Sequence, residues 1–308
     1  MALATREIRR VNRLLLRWYE KSARSLKIRE RNDPYSVLVV EVMAQQTQIA
    51  RVDRLAARFL ERFPTLASLA KAEPAEVIEA WRGLGYNRRA LSLHRAAQAA
   101  HAAGGVPSTS EALQLLPGIG PYTARAVAAI AFGGREIPVD VNIARLVRRL
   151  IGEPTITSTP LQAAADAFGA QLEDGASGAW AQAAMDLAST HCRSSEPDCV
   201  ACPLRSVCRS AGRVASPARA SRAARAPFAS TRRWLRGRLL DELRDAGAVG
   251  VQIRGARGEH DVADVTATIE QLRSEGLVER LPGRRYRLPR RAQQRAICGH
   301  GKRGGAGG

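Results

Sequence analysis

The stretch Leu115-Leu116-Pro117-Gly118-Ile119-Gly120-Pro121-Tyr122-Thr123-Ala124, running on as RAVAAIAFG to residue 133, decides how the rest of the chain is read. Pro117 cannot continue a helix and so closes one. Gly118 and Gly120 are placed to take positive φ in a tight turn. From Tyr122 a second helix is expected, with Ala124, Val127, Ala128, Ile130 and Ala131 facing inward. A Gly-x-Gly turn between two helices leaves N–H groups of the turn and of the second helix's first turn without partners. Such a concavity can hold one phosphate of a nucleic-acid backbone without reading bases. Gly-x-Gly also occurs in ordinary helical hairpins, so the surrounding sequence must decide.

Outward from the hairpin the pattern is helical. The 308 residues are 45% hydrophobic and only 5% aromatic, enough apolar matter for one large domain or two smaller ones. Ala, Leu and Arg dominate, which favours helices over strands. Apolar residues recur at three- and four-residue steps in 36–62, 76–103, 122–132 and 140–151, and no alternating strand pattern precedes residue 248. The opening MALATREIRRVNRLLLRWYEK reads as an amphipathic helix (Ile8, Val11, Leu14, Leu15, Trp18) and not as a signal peptide. No apolar run approaches the roughly 18 uncharged residues of a membrane span. The net charge of +19 points to a polyanionic partner, with nucleic acid first. A genome that writes Arg for Lys changes composition but not that charge. Residues 1–211 thus form one helical unit and 212–231 a basic Ala/Arg/Ser/Pro linker. In 232–289 two helical faces (Leu235, Leu239, Leu240, Leu243; Val262, Val265, Ile269, Leu272) precede a Pro-Gly hairpin, a winged-helix-like α/β module. Residues 290–308 read as a disordered basic tail.

Four of the five cysteines, Cys192, Cys199, Cys202 and Cys208, follow C-x6-C-x2-C-x5-C, while Cys298 fits no spacing and reads as a free thiol. Such clustering, without a secretion signal, predicts a metal site in a reducing compartment and not disulfides. The residues alone leave zinc and an iron–sulfur cluster both open, although the spacing is unlike paired zinc-ribbon knuckles. Arg193, Arg205 and Arg209 on this loop are candidates for phosphate contacts.

The full string Leu-Pro-Gly-Ile-Gly-Pro-Tyr-Thr-Ala closely resembles the helix-hairpin-helix of the endonuclease III and adenine glycosylase superfamily. Three further stretches match in the family's order. Val139-Asp140-Val141-Asn142 resembles the segment of its catalytic aspartate. Glu41-Val42-Met43-Ala44-Gln45-Gln46-Thr47-Gln48 is nearly the signature of the adenine-specific branch. Gly83-Leu84-Gly85-Tyr86 with Arg88 and Arg89 is the last. The resemblance covers roughly residues 24–208. It implies a mainly α, two-lobed, all-helical glycosylase over 1–211, with a structural [4Fe–4S] cluster on the four cysteines of the 192–208 loop.

Breaking an N-glycosidic bond makes the sugar cationic and the leaving base anionic, which calls for a proton donor at the base and a negative charge at the sugar. Glu41 alone could be a surface carboxylate. By the resemblance it is the acid that protonates adenine, kept protonated by burial among Val37, Val40 and their neighbours. By the same resemblance Asp140 stabilises the sugar cation and Asn142 orients it. The bifunctional branch has a nucleophilic lysine where this chain has Tyr122, which implies a monofunctional enzyme that leaves an abasic site. Gln45, Gln46 and Tyr86 fall at positions that wedge the duplex open around a flipped nucleotide. Gly118 and Gly120 grip the strand, and Arg24, Arg29 and Gln182 lie near the base pocket. The expected partner is double-stranded DNA containing a mispair, bound by a monomer without any membrane role, in the cytoplasm at the nucleoid.

Three departures bear on specificity. Leu26-Lys27-Ile28 stands where the family usually has Leu-Pro-Trp, and Ala44 replaces a leucine. The usual C-terminal Nudix-like domain, which recognises 8-oxoguanine, is replaced by the basic linker and module. Excision of adenine opposite 8-oxoguanine or guanine is the leading expectation. A thymine or uracil mismatch glycosylase is the near alternative, and a non-catalytic DNA-binding protein on the same scaffold the distant one. The presence of both Glu41 and Asp140 argues against the last.

Overall fold

In the computed structural model, which describes residues 3–214 and 226–290, the chain builds two helical lobes around a cleft, with a small module docked on one of them. The helices are α1 (Thr5–Ser22), α2 (Pro34–Ala44), α3 (Ile49–Arg62), α4 (Leu66–Lys71), α5 (Pro74–Ala80), α6 (Arg88–Ala102) and α7 (Ser110–Gln114), followed by α8 (Pro121–Phe132), α9 (Val141–Ile151), α10 (Ser158–Gly169) and α11 (Ala176–Thr190). The module adds α12 (Arg232–Ala246), β1 (Val251–Gln252), α13 (Val262–Ser274), β2 (Glu279–Leu281) and β3 (Arg285–Arg287). The expected mainly helical class holds. The continuous periodicity over 36–62 conceals a break at 45–48, and that over 76–103 a break at 81–87.

The first lobe, α2–α8, is built around α2. Asp33 caps it by accepting from the Ser36 N–H (2.9 Å), and Pro34 sits in the first turn, where its missing N–H is harmless. The helix is apolar all round, and Val37, Leu38, Val39, Val40, Val42 and Met43 are all buried. Each such side chain contributes roughly 1.5–3 kcal/mol. Glu41 is the only charged residue in the helix. No glycine ends α2. Instead the Arg89 guanidinium donates to the carbonyls of Val42 and Met43 (both 2.9 Å) and of Gln45, and to Thr47 Oγ1 (2.9 Å). One side chain thereby satisfies the open carbonyls of the helix end and fixes the loop that carries Gln45 and Gln46.

The second lobe returns α1 to α9–α11. Buried Asn12 on α1 donates to the Phe168 carbonyl (2.9 Å) and accepts from Trp180 Nε1 (2.8 Å), locking three helices together. Gly178 on α11 lets the lobes touch: a Cβ there would lie 2.9 Å from the Ala129 carbonyl oxygen of α8.

In the module the order helix, strand, helix, hairpin is that of a winged helix, with an antiparallel sheet ordered β1-β3-β2. Leu235, Leu239, Leu240 and Leu243 of α12 pack into the same apolar core as the first lobe. Arg244 is 9% exposed and donates to the Ile78 carbonyl and to Asn87 Oδ1 (3.0 Å). Most of the expected linker, all of the expected tail beyond its first residue, and Cys298 lie outside the described residues. Among the described residues no helix is long and apolar enough to cross a membrane.

Candidate active site

The cleft between the lobes is a cavity of about 1250 Å3, roomy enough for an extruded nucleotide. Glu41 enters it from α2, Tyr122 from the first turn of α8, and Asp140 and Asn142 from the start of α9. Arg24, Arg29, Gln45, Gln46 and Gln182 also line it. The structure therefore gathers most of the predicted residues at one place.

The two carboxylates are set differently. Glu41 projects from an apolar helix. Burial pushes its pKa up, and the Asp140 charge adds to that, to about 7. Asp140 is the N-cap of α9. Its Oδ1 accepts from the N–H groups of Asn142 (2.9 Å) and Ile143 (2.7 Å), and its Oδ2 from the Asn142 side-chain amide (2.7 Å). Three donors and the positive end of a helix suit a carboxylate anion. The expected orienting role of Asn142 corresponds to that short bond, and Arg145 in turn holds the Asn142 oxygen (3.1 Å). The Tyr122 hydroxyl points at Met185 Sδ (3.8 Å), and burial, with Glu41 and Asp140 nearby, drives its pKa well above the usual phenol range.

The hairpin stands at the start of α8. Gly118 has φ +79°, and a Cβ there would meet Ser92 Cβ at 2.6 Å. Gly120 departs from expectation. Its φ is −87°, because it is the extended N-cap of α8 and not the residue that reverses the chain. The turn thus needs glycine's left-handed freedom at Gly118 only. Gln45 donates to Thr123 Oγ1 in the first turn of α8 (3.1 Å), which joins the loop after α2 to the hairpin. Tyr86 does not line the cavity. It stands beyond Arg89 at φ +46°, 47% exposed, with the Arg89 guanidinium 5.5 Å from its ring.

The sequence reading missed Asp186. It is fully buried on α11 and accepts from both Nη atoms of Arg29 (2.8 Å each), from Arg24 Nε (2.6 Å) and from the Arg24 N–H (3.0 Å). Burial raises its pKa, but hydrogen bonds from Arg29 and Arg24 outweigh this and hold it below the usual value. Gln182, one turn earlier, accepts from the Tyr19 hydroxyl (2.9 Å). A lone acid in the apolar run AWAQAAMDLAS was the available signal, as it was for Glu41.

Cys192, Cys199, Cys202 and Cys208 are free, partly buried thiols that line one small cavity beside α9. Burial pushes Cys202 up to about 11. Arg149 donates to Cys192 Sγ (3.2 Å) and to the Arg193 carbonyl (2.8 Å). No group of His, Cys, Asp or Glu among the described residues is arranged to hold a single metal ion. Of the three loop arginines, Arg193 is taken up by carbonyls of Thr190 and Glu196, and Arg209 pairs with Glu7. Arg205 is exposed.

Residues 39–167 match the family described as HhH-GPD superfamily base excision DNA repair protein. An adenine DNA glycosylase of Mycobacterium tuberculosis is 37% identical over 293 residues, covering 89% of this chain and 92% of that protein. Among solved structures, a thermostable thymine-DNA glycosylase aligns with TM-score 0.63 at 24% identity over 69% of this chain and all of that one. A trapped endonuclease III–DNA covalent intermediate aligns with TM-score 0.58 at 22% identity over 68% of this chain and 98% of that one. These two likenesses speak for the fold. The identity to the mycobacterial protein along nearly its whole length places the molecule: the chain belongs to the adenine DNA glycosylase family, among the helix-hairpin-helix enzymes of base excision DNA repair.

Proposed function

We propose that the chain is a monofunctional glycosylase that removes mispaired adenine from duplex DNA and leaves an abasic site. One observation carries this reading: Glu41, its pKa raised to about 7, and the helix-capping Asp140 line the same nucleotide-sized cavity. The protonated Glu41 donates to a ring nitrogen of the extruded adenine. The N-glycosidic bond then breaks, and its electron pair leaves with the base. The Asp140 anion faces the cationic sugar that remains, and Asn142 keeps that anion aimed. Water adds to the sugar carbon, and the proton it loses restores Glu41. Tyr122 offers no amine for a Schiff base. Gln45 and Gln46 fill the gap left by the flipped nucleotide, and the hairpin backbone at Gly118 and Gly120 holds one phosphate. Arg24, Arg29 and Gln182 shape the base end of the cavity, braced by Asp186.

The four cysteine thiols would hold a [4Fe–4S] cluster. They fit it in being unpaired, gathered on one cavity, and faced by the cationic Arg149 at Cys192. Bound there, the cluster supplies cross-linking of the 192–208 loop and no chemistry at the base.

Purified protein tested on duplexes with single A·8-oxoguanine, A·G, T·G or U·G mispairs should release adenine alone. Strand breaks should appear only after alkali, and borohydride should trap no protein–DNA adduct. Release of thymine or uracil with adenine untouched would overturn the specificity, and a trapped adduct would overturn the monofunctional reading.

A further inference from the structure

The arginines of α12 are sorted. Arg236 pairs with Glu275 (2.5 Å), Arg238 with Glu242 (3.8 Å) and Arg244 with Asp241 (2.8 Å). Arg232 and Arg233, in the first turn, are both exposed and have no carboxylate partner among the described residues, and Arg233 is the one turned toward the catalytic lobe. Its guanidinium lies instead between two aromatic rings, 5.3 Å from that of Tyr86 and 5.8 Å from that of Phe228. Phe228 is 60% exposed. Arg89, which holds the Gln45 carbonyl at the cavity rim, approaches the same Tyr86 ring. Two guanidiniums therefore flank one exposed tyrosine, in a chain of net charge +19, with no acid beside Arg233. This leaves the surface around Tyr86 cationic, which favours an anion laid across it. An exposed aromatic next to an unpaired arginine also offers a stacking face with a cation for the adjoining phosphate.

The face by which a winged helix would ordinarily enter a groove is poorly equipped for it. The exposed side of α13 presents Val262, Ala263, Thr266, Ala267 and Gln271, and its one arginine, Arg273, is paired with Glu270 (2.6 Å). Hairpin arginines Arg280 and Arg284 are exposed, but no contact ties them to the cleft. In contrast, α12 is anchored to the catalytic lobe by Arg244 in its last turn, and its first turn, through Arg233, continues the row Gln45, Arg89, Tyr86.

We propose that the module binds DNA through the start of its first helix, not through α13. Arg233, with Phe228, engages the duplex beside the Tyr86 wedge and contacts a backbone phosphate there. This rests on the glycosylase reading and extends its DNA face by one residue pair.

The test is binding of the full-length protein to a duplex carrying a tetrahydrofuran abasic analogue, measured across a salt series. Arg233→Gln should weaken binding by about tenfold and lower the slope of log K against log salt by about one. Arg233→Lys should restore the slope. Phe228→Ala should weaken binding with the slope unchanged. Thermal midpoints close to the parent's show that the variants fold. A parental slope in Arg233→Gln would overturn the proposal. So would the same loss of slope from Arg280→Gln/Arg284→Gln with none from Arg233→Gln. Because the analogue requires no excision, this outcome is independent of the mispair panel. If that panel released thymine, the base assignment would fall while the slopes still decided the role of Arg233.

Discussion

Glu41 and Asp140 face one cavity from opposite lobes, and almost everything around them differs. Glu41 sits mid-helix among valines, and burial, with the Asp140 charge, raises its pKa to about 7. Asp140 starts a helix and is held by three donors, which suit it as an anion. Two residues of nearly the same chemistry are thus given different surroundings, which is what the proposed acid and counter-charge across one glycosidic bond would require. The contrast is one of local structure: an apolar helix interior against a helix N-terminus.

The largest effect that would sharpen the contrast is the loss of the acid. Glu41→Gln keeps the shape and removes the transferable proton. Single-turnover adenine release should fall by about 1,000- to 10,000-fold at neutral pH. In the parent, release should decline as pH rises through about 7, where Glu41 loses its proton, and this decline should vanish from the residual activity of the variant. An undiminished rate would remove Glu41 from the chemistry.

The next effect separates charge from capping. Asparagine is as good an N-cap as aspartate, so Asp140→Asn should leave α9, and at about pH 5 the thermal midpoint, nearly unchanged. Adenine release should still drop by about 100- to 1,000-fold, because the sugar cation loses its counter-charge. The Asp140 charge also helps to raise Glu41. The fall of rate with pH should therefore begin at lower pH in this variant, while burial still keeps the midpoint above the ordinary glutamate value. A pH profile identical to the parent's would mean that the two carboxylates do not share one site.

This asymmetry was partly legible in the sequence. A lone glutamate in VLVVEVMA and a Pro-Gly-x-Gly-Pro hairpin are local patterns, and local patterns survive reading along one dimension. Asn142 was legible because it lies two residues from Asp140. Asp186 was not, since its partners Arg24 and Arg29 lie 162 and 157 residues away. The same holds for Arg89, whose motif was visible but whose task of closing α2 depends on carbonyls more than forty residues distant. The roles of Gly118 and Gly120 look alike in Gly-x-Gly, and only the backbone shows that one reverses the chain while the other begins a helix. Nothing local marks the docking of α12, because Leu235 and Leu239 would look the same in a module standing alone.

The smallest effect reaches the comparison through stability. Glu41 has an ordinary pKa of 4.5 when the chain is unfolded and about 7 when folded. Below the unfolded value it is protonated in both states and favours neither. Between the two values the folded state holds a proton that the unfolded state has released, so stability declines with rising pH across that window. Above about 7 the full penalty of a buried charge is present. Glu41→Gln has no such charge, so it should gain on the parent as pH rises from about 5 to about 8.5. The gain should be roughly 1–3 kcal/mol, reduced from the full shift because one side of the carboxyl opens on the cavity. Asp140→Asn should recover part of the same gain, since it removes the neighbouring charge and leaves the burial. Thermal midpoints at the two pH values are the readout. Equal midpoint differences at both would show that Glu41 is ionised in the folded protein throughout, and the acid and the counter-charge would no longer be distinct.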